Sequence, residues 1–530
     1  MRAIAGFALL LTLLTPPEAH AQANTTSSTS AGKNRILLVL PFDNETREPS
    51  LEWIREAAPE ILNVRFASAG FAPMSRADRV YALDHLGLPQ QFQPSRASAI
   101  KLAQTLDVDS IIVGAYRLEG TGIVAEARVL DVLHLHMSDP VMARGEMRDL
   151  IAIFDSLAWR LTRVMDPGFS VAQETFLAAG ANLRLDAFEQ YIRGISEPDQ
   201  QERERHLKKA VELSPNFGAA WLALGREDFN GQQYEEAAAA FANVSANGPD
   251  SLEAGFYRGL SLLYFGAYQQ AQESFANVAR ELPLAEVLNN EGVAVSREGK
   301  DGTSLFVQAA AADPDAADYH FNLAVSLKRH GSSANAMNEL SECLKLRPND
   351  TEAQQLLAAW KGPEIAGAEG AAADPLERII RTFDAGAFRQ AAQMMDEMQA
   401  TRLAALAPHQ RAVKLAAQAK DYFNRGLLLE AERLYQLAVA DDASLADAHV
   451  GLAEVRERTG DAVSARKEAD AALQIKPSLD AYLVLGRLDL AANHMDDASR
   501  NIADALKLDP RSRTAQELNR QIEARTGKRQ

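Results

Sequence analysis

The sequence predicts a mainly α-helical chain, in which an α-solenoid of short helical repeats in two blocks follows a small α/β domain. Three observations predict this fold. Residues of similar size recur about every 34 positions after residue 168. A β-prone run and an alternating hairpin lie before that point. A stretch rich in Gly, Ala and Pro, residues 361–375, divides the repeats into blocks at 169–360 and 376–511.

The composition is that of a globular, acidic chain. Its 530 residues include 55 Lys and Arg against 72 Asp and Glu, which gives a formal net charge of −17. Binding to nucleic acid or to anionic lipid needs a basic surface, so we expect no nucleic-acid partner. The single cysteine excludes an internal disulfide framework, a CxxC redox pair and any multi-cysteine metal site.

The first residues predict an export signal. Arg2 precedes an apolar run over residues 3–14, and Ala19-His20-Ala21 forms a small-x-small cleavage site. We expect a signal peptide over 1–21, cleavage near Ala21-Gln22 and a flexible leader over 22–33. The mature chain is then periplasmic or secreted. It is expected to have no integral membrane segment, because no later stretch is apolar for about 18 residues.

Residues 34–168 predict the α/β domain. The run 36–40 is a buried strand, 51–69 is an amphipathic helix, and 71–75 is a short strand. A second helix over 95–106 precedes a hairpin of strands 110–116 and 123–132, and a third helix covers 149–165. The order strand–helix–strand–helix–hairpin–helix is typical of a compact α/β domain.

Two motifs in this domain resemble those of a known domain family. The sequences ILLVLPFDNET and VGAYRLEG…VAEARVLD are similar to the amino-terminal domain of the periplasmic protein TolB and its relatives. The resemblance covers residues 34–166 and implies an envelope location, often with helical repeats attached. The β-propeller that follows this domain in TolB is absent, so TolB's own role does not transfer.

The repeat pattern is visible as aligned small, bulky and Pro residues. One unit has Gly225, Ala237, Phe241 and Pro249, and the next has Gly259, Ala271, Phe275 and Pro283, each 34 positions further on. Similar patterns occur after residue 316 and after residue 445. Small residues let paired helices cross closely, a bulky residue fills the gap, and Pro ends the second helix.

This pattern resembles the tetratricopeptide repeat. We predict about nine units, at 185–217, 216–250, 251–284, 285–315, 316–349, 376–408, 411–444, 445–478 and 479–511. The unit at 376–408 is degenerate and is marked by Gly386, Phe388 and Ala391. A capping helix and tail are expected over 512–530.

No catalytic, cofactor or metal site is expected, because the common hydrolase, zinc-peptidase and phosphate-loop motifs are absent from the sequence. His134 and His136 alternate on one predicted strand, with Asp131 and Asp139 nearby. A surface pair is favoured there over a metal site, because spacing places no third ligand. Cys343 is interpreted as a packed thiol.

A partner site is predicted on the concave groove of the first block. In the tetratricopeptide pattern the first helix of each unit lines this groove. Transferring that phase gives the following groove residues: Leu222, Arg226, Phe229, Phe256, Leu260, Leu263, Tyr264, Asn289, Arg297, Phe321, Lys328 and Arg329.

These groove residues form an apolar and aromatic strip beside Arg297, Lys328 and Arg329. That chemistry favours an amphipathic helix or an extended peptide with acidic residues. Leu222 and Phe256 stand where carboxylate-binding relatives carry lysine, so recognition of a peptide C-terminus is not expected. The alternative is that the groove is filled in cis, for example by the α/β domain.

The functional hypothesis is an exported, non-catalytic protein–protein interaction scaffold of a bacterial envelope, with a protein or peptide partner. One alternative is an assembly or docking factor of an outer-membrane or secretion complex, in which the α/β domain is the docking module. A third hypothesis is a metal-dependent hydrolase that uses His134 and His136. The sequence sets neither the oligomeric state nor the partner.

Overall fold

A computed structural model describes residues 36–89, 96–178, 183–246, 248, 250–361, 375–383, 394 and 398–527. The predicted signal peptide over 1–21, the leader over 22–33 and residues 362–374 of the predicted linker lie outside the described residues. So do Gly386, Phe388 and Ala391.

The first domain is built on a mixed sheet. Its strands, in chain order, are β1 (Ile36–Val39), β2 (Asp43–Asn44), β3 (Ala72–Pro73), β4 (Ser110–Glu119), β5 (Gly122–Asp131), β6 (His136–Met137) and β7 (Val141–Glu146). The main order is β3-β1-β4-β5-β6, with β2 beside β4 and β7 beside β5. β1 runs parallel to β3 and β4, whereas β4 and β5 form an antiparallel hairpin from Ser110↔Asp131 to Glu119↔Gly122.

Helices cover both faces of this sheet. They are α1 (Ile54–Ser68), α2 (Arg76–His85), α3 (Arg96–Leu106) and α4 (Leu150–Met165). α1 and α4 pack on one face, where Phe42, Phe66 and Phe154 are fully buried. α2 and α3 pack on the other face around Leu38 and Ile111. Apolar residues thus alternate between two cores along β1 and β4, as strand geometry requires.

The elements α2 and β7 and the two-residue strands β2 and β6 were not predicted from the sequence. α2 buries Arg79, which is 2% exposed and donates to the Val39 carbonyl at 3.2 Å. An apolar pattern marks this helix only weakly, because one of its three buried side chains is an arginine. The expectation that His134 and His136 share a strand is wrong, because β5 ends at Asp131 and His134 lies in the following turn.

Glu60 in α1 is a half-buried carboxyl group, and burial raises its pKa to about 7 from an ordinary value of 4.5. Arg79 and Arg76 oppose this shift. Between these two pH values the folded chain binds more protons than the unfolded chain, so the free energy of unfolding falls as pH rises. Gln does not titrate, so the free energy of unfolding of Glu60→Gln should fall by about 2 kcal/mol less over this pH range than that of wild type. This figure allows for the partial exposure of Glu60.

Denaturant unfolding of wild type and Glu60→Gln at pH 4.5 and pH 8 measures this effect. The variant should gain stability relative to wild type at pH 8 but not at pH 4.5. Glu119→Gln is the control, because it changes an exposed carboxyl group at the end of β4. Parallel pH profiles for wild type and Glu60→Gln would show that the prediction is wrong.

The rest of the described chain is helical. After α5 (Gln173–Ala178), the first block contains α6 (Leu185–Ser196), α7 (Gln200–Leu213), α8 (Gly218–Asn230), α9 (Tyr234–Ala242), α10 (Ser251–Phe265), α11 (Tyr268–Glu281), α12 (Ala285–Arg297), α13 (Thr303–Ala312), α14 (Ala317–Arg329), α15 (Ser333–Leu346) and α16 (Thr351–Lys361). The second block contains α17 (Pro408–Asn424), α18 (Leu428–Asp441), α19 (Ala446–Thr459), α20 (Ala462–Ile475), α21 (Leu479–Ala491), α22 (Met495–Leu508) and α23 (Arg513–Thr526).

Successive helices pair as the repeat pattern predicts. A methyl group at Gly225 would stand 2.7 Å from the Phe241 ring, and one at Gly259 would stand 2.7 Å from the Phe275 ring. The two helices of each unit therefore cross too closely for any larger residue at these glycines. The fold is a mainly α solenoid preceded by a small sheet-containing domain. Cys343 is fully buried in it, and burial raises the pKa of its thiol to about 11.

The degenerate unit predicted from Leu376 is wrong at its start. Residues 375–383 form neither helix nor strand, and they lie against the first block rather than opening the second. Among the described residues, none of the helices combines the length and the apolar character needed to cross a bilayer.

The second block contacts the first domain directly. Leu429 of α18 belongs to the same apolar core as Phe154 and Phe176. The Arg433 guanidinium donates to the Ser68 carbonyl at 3.3 Å, and Ser170 Oγ donates to Gln436 Oε1 at 2.6 Å. The chain therefore returns to its α/β domain after passing through the first block.

Candidate functional site

The groove of the first block holds a segment of the same chain. We call residues 375–383, with the sequence PLERIIRTF, the groove segment. It lies across the inner helices α10, α12 and α14, where its apolar side chains pack against the core of the first block. Both of its neighbouring stretches, 362–374 and 384–393, lie outside the described residues.

Three asparagines hold the backbone of the groove segment. Asn322 accepts from the Arg378 N–H at 2.7 Å and donates to the Arg378 carbonyl at 2.7 Å. Asn289 donates to the same carbonyl at 3.1 Å. Asn290 accepts from the Ile380 N–H at 3.0 Å and donates to the Ile380 carbonyl at 2.8 Å.

These asparagines are fully buried and also bond to one another. Asn322 donates to Asn289 Oδ1 at 2.8 Å, and Asn289 donates to Asn290 Oδ1 at 3.2 Å. Buried amides that are fully hydrogen-bonded fix each other's orientation. The asparagines therefore bond to backbone groups of alternate residues of the groove segment, Arg378 and Ile380.

A pocket for an acidic side chain lies at Glu377, whose side chain is 1% exposed. Its carboxylate pairs with Arg297 Nε at 3.1 Å and with Arg329, and it accepts a hydrogen bond from Ser296. Arg329 also donates to the Pro375 carbonyl at 2.6 Å. Two guanidinium groups thus compensate one buried carboxylate, as burial of a charge requires.

Arg378, the next residue of the groove segment, lies in an acidic pocket. Arg378 pairs with Asp350 at 2.6 Å, with Asp318 at 2.9 Å and with Glu352 at 3.0 Å. Its guanidinium lies 3.6 Å from the centre of the Phe321 ring. A hydrogen bond from Arg378 is the largest cause that lowers the pKa of Asp350. Asp350 is therefore ionised at neutral pH beside this arginine.

The apolar residues of the groove segment complete its contacts. Ile379, Ile380 and Phe383 pack on the core of the first block. The Phe383 and Phe256 rings are 5.4 Å apart between centroids. The Arg381 guanidinium lies 5.4 Å from the Tyr264 ring centre and 5.8 Å from that of Phe229. Aromatic side chains of the groove thus contact both apolar and cationic groups of the segment.

The structure divides the groove residues predicted from sequence into two sets. Seven contact the groove segment: Phe229, Phe256, Tyr264, Asn289, Arg297, Phe321 and Arg329. Leu222, Leu260 and Leu263 are buried in the core of the repeats. Arg226 pairs with Glu253, whereas Lys328 donates to Ser333 Oγ at 3.2 Å and lies 5.9 Å from the Trp360 ring centre.

Six residues with polar contacts to the groove segment were not predicted: Asn290, Ser296, Asp318, Asn322, Asp350 and Glu352. One feature of the sequence could have indicated these contacts. Asn289 and Asn322 lie 33 positions apart, one repeat length, among the buried and mostly apolar residues of the inner helices α12 and α14. Amide side chains that recur at the repeat period inside an apolar stripe indicate a shared polar ligand.

Within the part of the chain that the structure describes, His134 and His136 belong to no group of three or more potential metal ligands that lie within 4.8 Å of one another. His134 Nδ1 lies 2.8 Å from Asp131 Oδ2 in an exposed turn. A different group, Asp489, His494 and Asp497, places its potential ligand atoms within 4.8 Å of one another. The Asp489 carboxylate already pairs with Arg466 and accepts from Asn501 at 2.8 Å, so its charge is compensated by the protein.

Comparison with known proteins identifies the repeats. The sequence model of the tetratricopeptide repeat matches residues 222–286 and 416–480. The chain therefore contains tetratricopeptide repeats in both blocks. No curated protein sequence matches this chain.

Several solved structures are similar to parts of the chain. YrrB, described as a TPR protein with an unusual peptide-binding site, shares 16% identity over 38% of this chain and 98% of its own, with a TM-score of 0.29. MamA from Desulfovibrio magneticus RS-1 shares 20% identity over 34% of this chain and 100% of its own, with a TM-score of 0.28. The LpoB C-terminal domain from Salmonella enterica shares 16% identity over 23% of this chain and 88% of its own, with a TM-score of 0.21.

Proposed function

We propose that this chain is an exported, non-catalytic scaffold of the bacterial cell envelope that binds extended segments of partner proteins in the groove of its first repeat block. Tetratricopeptide repeats generally serve as modules for protein–protein interaction. The observation that carries the proposal is the set of hydrogen bonds from Asn289, Asn290 and Asn322 to a peptide backbone. Such bonds give affinity for an extended chain without requiring one sequence.

Export and envelope location have separate support. The apolar run and the small-x-small site near residue 21 are typical of a secretory signal. The resemblance of residues 34–166 to the amino-terminal domain of TolB favours the periplasm. Amino-terminal sequencing of the protein recovered from a periplasmic extract tests both, because a mature chain that begins near Gln22 is expected.

The binding proposal is tested by freeing the groove. A variant in which residues 375–383 are replaced by nine Gly and Ser residues is screened against an array of extended peptides. We expect several peptides to bind with dissociation constants of about 1–100 μM, which is usual for peptide grooves of modest area. Adding Asn322→Ala should weaken this binding at least tenfold, because a buried carbonyl and a buried N–H lose their partner.

The matched control is Asn243→Ala, which removes an exposed asparagine of the first block outside the groove. Circular dichroism of each variant checks that the helices persist. Failure of every peptide to bind the freed groove would overturn the proposal. Equal binding with and without Asn322→Ala would place the peptide elsewhere and would also overturn it.

A further inference from the structure

We propose that the groove segment competes with partner peptides for the groove of the first block. Such peptides must carry the same order of side chains, an acidic residue followed by a basic residue and two aliphatic residues. This inference rests on the proposed function, since it specifies the ligand and the regulation of the same groove. The order is that of Glu377, Arg378, Ile379 and Ile380. A partner binds only when it displaces the segment from the groove.

The order of charges follows from two adjacent pockets of opposite sign. Arg297 and Arg329 surround the acidic position. Asp318, Asp350 and Glu352 surround the basic position. Neighbouring residues of an extended chain point to opposite sides, so the two pockets are occupied by consecutive residues. A peptide with these charges exchanged would place a cation between two guanidinium groups and an anion among three carboxylates.

The backbone contacts add a second requirement. Asn322 accepts from the N–H of residue 378, and Asn290 accepts from the N–H of residue 380. Proline has no N–H, so it would remove one of these bonds at either position. A partner peptide therefore needs residues other than proline at the basic position and at the second aliphatic position.

The polar contacts between the groove segment and the first block favour a segment that can dissociate from the groove. Its contacts include many hydrogen bonds and ion pairs to amide, carboxylate and guanidinium groups, such as Asn290, Asp350 and Arg297. These groups can bond to water when they are uncovered, whereas an uncovered apolar core could not. The helix pairs themselves are held by other residues, including Phe241 against Gly225.

The covalent link gives the segment its advantage over a free peptide. Thirteen residues separate Lys361, the end of α16, from Pro375. A short tether gives an effective concentration on the order of 1 mM. A free peptide with an intrinsic dissociation constant of about 10 μM would then bind the wild-type chain about 100-fold more weakly than an open groove.

The test uses the full chain and two labelled peptides. One peptide has the sequence of residues 375–383, and the matched peptide has the Glu and the Arg exchanged. The open form of the protein carries Glu377→Arg together with Arg378→Glu, which keeps the composition and length of the chain. Fluorescence anisotropy measures binding of both peptides to wild type and to the open form.

We expect the first peptide to bind the open form at least tenfold more tightly than it binds wild type. We expect the exchanged peptide to bind the open form at least tenfold more weakly than the first peptide does. Peptides with Pro at the position of Arg378 or Ile380 should also bind at least tenfold more weakly. Asn322→Ala in the open form should reduce binding of the first peptide to a similar extent.

Several outcomes would overturn the inference. Equal affinity of wild type and open form for the first peptide would exclude competition in cis. Equal affinity of the two peptides for the open form would exclude charge order as a requirement. A wild-type dimer in light scattering, with peptide affinity that depends on chain concentration, would assign the competing segment to a second copy. If array peptides bind the freed groove but the first peptide does not bind the open form, this inference fails and the proposed function stands.

Discussion

Replacing Glu377 with lysine is expected to release residues 375–383 from the groove of the first block. The carboxylate of Glu377 is 1% exposed and lies between Arg297 and Arg329. Lysine would place a third cation at this position, and both guanidinium groups would lose their counter-ion. Breaking a buried ion pair costs about 3–5 kcal/mol, which corresponds to a change in occupancy of at least 100-fold.

Hydrogen–deuterium exchange of the full chain measures this release. The backbone N–H groups of Arg378 and Ile380 are bonded to buried asparagines in the wild type, so their exchange should be slow. In Glu377→Lys we expect their exchange to be at least 100-fold faster, while the amides within α12 and α14 stay protected. Glu281→Lys, which changes an exposed residue at the end of α11, is the matched control. Persistent protection at both amides in Glu377→Lys would contradict the structure of the groove.

Replacing Glu432 with alanine is expected to detach the second block from the α/β domain. Glu432 is fully buried in α18 and accepts hydrogen bonds from the Thr175 hydroxyl and from the Ala172 N–H at 3.3 Å. Its carboxylate also lies 3.5 Å from Arg456 Nε. Alanine would leave a buried hydroxyl, an N–H and a guanidinium without this acceptor, at a cost of about 3–5 kcal/mol.

Two measurements follow the detachment. Exchange of the backbone amides in α5, which carries Thr175, should be at least tenfold faster in Glu432→Ala. The radius of gyration from small-angle scattering should increase while the helix content stays constant. Glu212→Ala is the control, because it removes an exposed carboxylate from α7. Unchanged exchange in α5 together with an unchanged radius would show that Glu432 does not hold this contact.

Much of the secondary structure could be predicted from local pattern. The helix pairs follow from the recurrence of small, bulky and Pro residues, because each repeat packs mainly on its neighbours. The hairpin of β4 and β5 follows from a turn at Gly120 between two alternating runs. α2 did not follow, since one of its three buried side chains is Arg79, which is held by a hydrogen bond and an ion pair. The periodicity of apolar residues does not reveal the hydrogen-bond and ion-pair partners of a buried arginine.

The sequence predicted the groove residues only in part. Transferring the phase of the repeat located seven of the residues that contact the groove segment. It also placed Lys328 and Arg226 in the groove, whereas both pair with neighbouring residues of the first block. It did not identify the occupant, because the occupant's partners lie from 26 to 152 positions away in sequence. Cis occupancy was considered for the α/β domain, whereas the structure places residues 375–383 there.

The sequence by itself determined that this chain is a repeat solenoid with an apolar, partly cationic groove. Only the tertiary structure decided the conformation of residues 375–383. The sequence predicted a degenerate helical unit from Leu376 on the pattern of Gly386, Phe388 and Ala391. Leu376, Ile379, Ile380 and Phe383 also have the spacing of an amphipathic helix. Asn289, Asn290 and Asn322 take up the N–H and carbonyl groups that an isolated helix would pair internally. A short helix is only marginally stable on its own, so bonds supplied by distant repeats select the extended form.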